Sequence, residues 1–137
     1  MKKLLTLLAL TMSFSMNAQM SDYSEATSAT GSHAVAMGKS TTASGGISTA
    51  MGGDSTASGD YSVAMGRNTT ASGEISTTMG RETTASDYAS FVIGQYNSSG
   101  SSVTNNATSF NTANTAFVIG NGTASNAKSD AFKVMFN

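Results

Sequence analysis

The chain has 137 residues, of which 11% are charged, with a formal net charge of −1 and neither Cys nor Pro. The absence of Cys excludes disulfides, thiolate chemistry, zinc–thiolate sites and a lipoprotein-type lipid anchor. The charge balance offers neither the basic footprint that nucleic acid requires nor a cationic membrane patch. The lack of Pro suits an unbroken hydrogen-bonded ladder, from which Pro would delete a donor.

The first predicted element is a leader over residues 1–18. Lys2 and Lys3 precede an apolar run from Leu4 through Met16, and Asn17-Ala18-Gln19 follows. Charged, then apolar, then small is the order of a secretory signal peptide cut after Ala18. The apolar run is too short to span a membrane. Without Lys2 and Lys3, five basic residues face eight acidic ones, so the mature chain sits near −3.

Residues 19–101 hold a strict repeat. Met37-Gly38, Met51-Gly52, Met65-Gly66, Met79-Gly80 and Ile93-Gly94 recur every fourteen residues, in step with Ala29-Thr30-Gly31, Ala43-Ser44-Gly45, Ala57-Ser58-Gly59, Ala71-Ser72-Gly73 and Ala85-Ser86-Asp87. So short a period means stacked coils, not a conventional domain. In the unit Asp60–Gly73, Tyr61 to Met65 alternates as a strand does. Tyr61, Val63 and Met65 share one face, and Ser62 and Ala64 the other. Gly66 opens a turn, Arg67-Asn68 is turn material, and Thr69 to Ser72 forms a second short strand. The expected fold is all-β, a parallel β-solenoid with one coil per fourteen residues.

In this reading Val35, Val63, Met37, Met51, Met65, Met79 and Ile93 fill a narrow core against Ala43, Ala57, Ala71 and Ala85. Gly38, Gly52, Gly66, Gly80 and Gly94 carry the turns. Ala36, Ala50, Ala64 and Thr78 form a small outward column that lets another chain approach. A longer period of twenty-eight pairs His33 with Val35 and Tyr61 with Val63, alternating with Ile47 and Thr49, Ile75 and Thr77. It reflects duplication of a two-coil unit or an alternation of core volume. Ordering a residue costs about 1–2 kcal/mol, and burying a Val or Met returns only about 1.5–3 kcal/mol. A coil this thin is therefore expected to need a homo-oligomer.

The stretches Ala34-Val35-Ala36-Met37-Gly38 and Ser62-Val63-Ala64-Met65-Gly66, with the Ala-Ser-Gly triplets that follow, resemble the head repeats of YadA-like trimeric autotransporter adhesins. The resemblance spans about residues 26–101, with an echo at Phe117-Val118-Ile119-Gly120. It implies a left-handed parallel β-roll, a homotrimer, and a place outside a bacterial cell, where such heads bind host matrix proteins, other cells or surfaces. Met stands where the family has Ile or Leu at four positions, and Thr49 and Thr77 where it has Val. No heptad stalk, neck or membrane-anchor strand is visible in this sequence. Either it is a piece of a longer adhesin, or it belongs to a related fibre-like architecture with another C-terminal module. Membrane attachment is expected only through such a further part.

Beyond Gly94 the phase breaks. Residues 102–137 read as an irregular polar segment with a last partial coil and a C-terminal strand. Val118 follows Val92 by 26 residues instead of 28, which two shortened coils or one polar loop would explain. Phe132, Val134 and Phe136 alternate in a strand that caps the stack or leads into another module.

Catalysis finds no support in the sequence: no catalytic, cofactor-binding or metal residue is expected, and the protein is read as a non-enzyme. His33 is the sole His and lies in the Tyr61 column, at a core or interface position. Gly52-Gly53-Asp54 and Ser58-Gly59-Asp60 are similar to calcium-binding glycine–aspartate repeats but do not recur, and read as turns. Asn68, Asn97, Asn106 and Asn121 begin Asn-x-Ser/Thr triplets that reflect composition. Thr42 and Ser44, Thr56 and Ser58, Thr70 and Ser72, Thr84 and Ser86 form two outward files about 4.8 Å apart per coil. These either solvate a face poor in charge or bind ice. The expected function is a rigid, secreted adhesin head whose ligand is a matrix protein, glycan or cell surface. An ice-binding solenoid and a structural spacer are the alternatives.

Overall fold

Fourteen residues make one coil: a two-residue strand, a turn, a five-residue strand and a second turn. The computed structural model describes residues 26–98 and 106–137 together with the backbone of Ala18–Met20. Of the expected leader, all but Ala18 lies outside these residues. The backbone strand β1 (Ala18–Met20) is followed by short strands alternating with long ones. The short ones are β2 (Ser28–Ala29), β4 (Thr42–Ala43), β6 (Thr56–Ala57), β8 (Thr70–Ala71) and β10 (Thr84–Ala85). The long ones are β3 (Val35–Lys39), β5 (Thr49–Gly53), β7 (Val63–Arg67), β9 (Thr77–Arg81) and β11 (Phe91–Gln95). Two further strands, β12 (Thr115–Asn121) and β13 (Asp130–Met135), complete the chain.

Every long strand pairs in parallel with its equivalent one coil on, in unshifted register: Val35 with Thr49, Thr49 with Val63, Val63 with Thr77, Thr77 with Phe91. Eight strands form the long sheet in the order β1-β3-β5-β7-β9-β11-β12-β13, and five form the short sheet. All-β architecture and the parallel solenoid match the sequence expectation. Each long strand starts two residues later than the alternation suggests and runs through its glycine to residue 67 or the equivalent.

The two faces of the long sheet are assigned the other way round from the sequence reading. Ala36, Ala50, Ala64 and Thr78 are fully buried, as are Ser48, Ser62 and Ser76. Val35, Met37, Met51, Val63, Met65, Met79 and Ile93 point outward and are only half buried. The pairing of Val63 with Met65 and of Ser62 with Ala64 was right, but its polarity was not, and Tyr61 belongs to the preceding turn. The reason is width. Each coil has only two strands, so the two sheets lie close, and inward positions meet inward positions. The Thr78 and Thr83 hydroxyls meet across the gap at 2.6 Å, and Thr41, Ala43, Ser48 and Ala50 all have no exposed surface. That gap takes Ala, Ser and Thr; Met and Val do not fit and turn outside. The Ala column is therefore core, not an oligomer face. Thr49 and Thr77 lie outside as well, so the twenty-eight-residue alternation does not balance core volume.

Both turns belong to the ladder. One residue per turn takes a left-handed conformation: His33, Ile47, Tyr61, Ile75 and Ala89 on one edge, Ser40, Asp54, Asn68, Glu82 and Tyr96 on the other. This aims the amide back along the stack. Ile47 N–H donates to Ser32 O at 2.7 Å, Tyr61 N–H to Gly46 O at 2.8 Å, and Asn68 N–H to Gly53 O at 2.8 Å. The cost of the unusual φ is thus offset by a bond that closes the rung. The glycine column acts just before this, inside the strand. Gly52 has φ +111°, a value that side chains avoid, where the strand bends into its turn.

The Ala-Ser-Gly glycines have a different task. A Cβ on Gly59 would collide with the carbonyl of Gly73 in the next coil. That column ends at Asp87, where the short sheet also ends.

The polar-loop reading of the phase break holds. β11 and β12 are direct neighbours, Val92 beside Val118, so no strand intervenes between them in the long sheet. β13 then pairs antiparallel with β12 and lies along the edge of the long sheet.

Candidate interaction faces

Four surfaces run the length of the stack. The outer face of the long sheet is the most apolar. One column reads Val35, Thr49, Val63, Thr77, Phe91, Phe117, and the next Met37, Met51, Met65, Met79, Ile93, Ile119, each in register from coil to coil. At its C-terminal end the face turns aromatic. Phe91 stacks on Phe117 at 5.7 Å, and Phe132 from β13 meets Phe117 edge-on at 6.1 Å.

The edge preceding the long strands is a ridge of large side chains. Ile47, Tyr61 and Ile75 are 53%, 55% and 46% exposed, each at φ 56–60°. A β-branched residue in that conformation is a genuine outlier. Between the turns lies a groove of about 210 Å³ lined by Ser32, His33, Gly46, Ile47, Asp60 and Tyr61. Asp60 Oδ1 accepts from Gly46 N–H at 2.7 Å and ties adjacent turns together. His33 is exposed in this ridge, which rules out the core alternative and leaves the interface one; its Nδ1 lies 2.9 Å from Ser32 Oγ.

The opposite edge is polar. Lys39, Arg67 and Arg81 end β3, β7 and β9, and Asp54 and Glu82 lie in the adjoining turns. The Arg81 guanidinium sits over the Tyr96 ring, 5.2 Å from its centroid. The Thr-Ser face is outward as expected, with Thr42, Thr56, Thr70 and Thr84 in register.

The C-terminal end is closed by side chains that the sequence reading passed over. Asn97 stands one period after Thr83, in the inward column Thr41, Ser55, Thr69, Thr83. Its Oδ1 accepts from Thr84 N–H at 2.8 Å, and its Nδ2 donates to Thr84 O at 3.0 Å. Asp87 is fully buried, and its Oδ2 accepts from Thr115 N–H at 2.9 Å. Its Oδ1 has no partner and lies by a cavity of about 10 Å³, the space of one water. Asn114 completes the closure by donating from Nδ2 to Asn106 O at 2.9 Å. The signal was available: Asn97 and Asp87 are the residues that break two otherwise small columns.

Among the described residues, no group of three or more His, Asp or Glu side chains converges as a metal site would require. Asp54 and Asp60 occupy turns, on opposite edges of the stack.

Residues 29–46 and 48–69 match the YadA head domain repeat in two copies. Neither the curated proteins nor the solved structures give a match. The matched residues span β2 through β7, and the same register continues unaltered to Gln95 in β11.

Proposed function

Taking the YadA-like head repeats as the starting point, we propose that this chain is the head segment of a bacterial surface adhesin, secreted, non-catalytic and homotrimeric. Its outer long-sheet face packs against two further copies, and the Thr-Ser face remains outside to meet a matrix protein, glycan or cell surface. The observation that carries this reading is the inverted distribution of side chains. Alanine, serine and threonine fill most of the inside, while an unbroken column of methionine and isoleucine lies half exposed on the outside, beside a second column in which Thr49 and Thr77 alternate with valine before it ends in phenylalanine. Contiguous apolar surface of this extent marks an interface. Covering the remaining half of each Val, Met and Ile returns about 1 kcal/mol apiece, which so thin a core needs. Attachment follows from repetition: equivalent weak contacts at each coil act together, and effective concentration multiplies them.

The test has two arms. Light scattering on the purified chain is expected to give three times the chain mass. Binding to immobilised matrix proteins, glycans and whole cells is expected to weaken sharply in Met65→Lys, which places a charge in the apolar face. A folded monomer that binds none of these surfaces overturns the proposal.

A further inference from the structure

The charged residues of two consecutive coils are divided between opposite edges. Asp60 and Glu74 lie in the turns leading into β7 and β9, on the ridge edge; Arg67 and Arg81 end those same strands on the other edge. Each acid thus has a base at its own level, seven residues on. The neighbouring rungs carry no such pair: Gly46 corresponds to Gly53, and Tyr88 to Gln95. The width of the sheet keeps the two signs apart within one chain, and among the described residues no ion pair joins them. Arg67 and Arg81 continue the alternation of Val63-Met65 and Thr77-Met79, so they stand on the rim of the apolar outer face. Asp54 and Glu82 share that edge, but in turn positions of the opposite parity.

We propose that the edge bearing Asp60, Tyr61 and Glu74 receives Arg67 and Arg81 of a second copy of this chain, so that successive copies close a ring edge to edge. The proposal rests on the homo-oligomer reading above. When copies turn their outer long-sheet faces to a common axis along the stack, the ridge edge of each meets the opposite edge of the next. That is a heterologous contact, which closes under rotation. Rotation without translation keeps every coil at its level, so Asp60 meets Arg67 and Glu74 meets Arg81. The receiving edge suits a guanidinium. The groove beside Tyr61 places a carboxylate and an exposed ring face together, the two groups a planar cation recognises. Shifting one copy by a single coil would leave Asp60 without its partner or bring Glu74 to a neutral rung, so the pairs fix the axial register.

The protein has no Cys, so the full chain carrying D60C and R67C has only those two thiols. Within one chain the turn and strand hold them roughly 20 Å apart, at about 3.3 Å per residue, beyond a short bismaleimide. The expected result is covalent dimer and closed trimer on a denaturing gel, with D60C or R67C alone giving neither and their mixture giving dimer only. In parallel, D60K/E74K and R67E/R81E are each expected to weaken association by at least about tenfold, and the four changes together to restore it. Circular dichroism confirms that each variant keeps its β spectrum. An oligomer of normal mass that neither cross-links nor responds to charge reversal overturns this inference alone. An unmodified chain that is a folded monomer overturns it together with the homo-oligomer reading.

Discussion

The side chain of Asn97 does for Thr84 what a whole strand does elsewhere in the stack. In the coils before it, the Thr42, Thr56 and Thr70 amides donate to the backbone carbonyls of Ser55, Thr69 and Thr83. At Thr84 the next rung of the short sheet does not exist, and the Asn97 amide supplies both acceptor and donor at 2.8 and 3.0 Å. A parallel sheet edge that would otherwise recruit another chain is closed within two bonds. Asn97→Ala leaves both Thr84 groups unpaired and is expected to cost about 2 kcal/mol or more. The Thr84 amide should lose its hydrogen-exchange protection before the rest of the stack; unchanged protection would contradict the capping role.

Beside it, Asp87 buries a carboxylate with one oxygen unpartnered. A buried charge with a single hydrogen bond is costly. Asp87→Asn keeps an acceptor for Thr115 N–H and removes the charge, so it is expected to raise the melting temperature. Asp87→Ala, which loses the acceptor as well, is expected to lower it. The contrast between the two is the measurement.

The glycines divide into those the stack requires and those it does not. Gly45→Ala drives a methyl group into the carbonyl of Gly59 and is expected to cost about 3 kcal/mol or more. At Gly53 a Cβ meets nothing within 4 Å. Gly53→Ala is expected to be neutral or to stabilise by about 0.4–1 kcal/mol, by restricting the unfolded chain. Denaturant titration of the two variants distinguishes these outcomes.

The reversed faces of the long sheet make a third contrast. Ala64→Leu overfills a gap sized for Ala, with an expected loss of about 3 kcal/mol or more. Met65→Ser trims an outward side chain, so the coil should remain folded while the oligomer weakens. Were methionine the core residue, the order of the two effects would be opposite.

The ridge offers a fourth. Ile47 sits at φ 56°, where Asn is at ease and Ile is not. Ile47→Asn is expected to stabilise the isolated chain by about 1 kcal/mol and to reduce binding to any surface that the ridge contacts. Thermal melting and a binding assay on the same sample read both.

The coil, its period and its strand alternation were legible because repetition turns every position into a column, and columns average out local ambiguity. Val63 and Met65 were correctly placed together for that reason. Which face they occupied was not legible, because period two fixes the division and not its sign. The usual guide, larger apolar residues inside, fails where two sheets are too close for them. The core alternative for His33 fails for the same reason, since its column lies on an exposed turn. The cap was written in the sequence as two irregularities, Asn97 and Asp87. It was missed because each acts through side-chain bonds to backbone groups distant in sequence, which column patterns do not reveal.

The fourteen-residue rung also sets how the molecule yields to force. Folded, each rung adds about 4.8 Å along the axis; peeled off and drawn straight, it releases about 45–50 Å of chain. A load along the axis is borne by one rung's hydrogen bonds at a time. The protein is therefore expected to lengthen under load in uniform steps, about tenfold per rung surrendered, with a unit of give written in its periodicity.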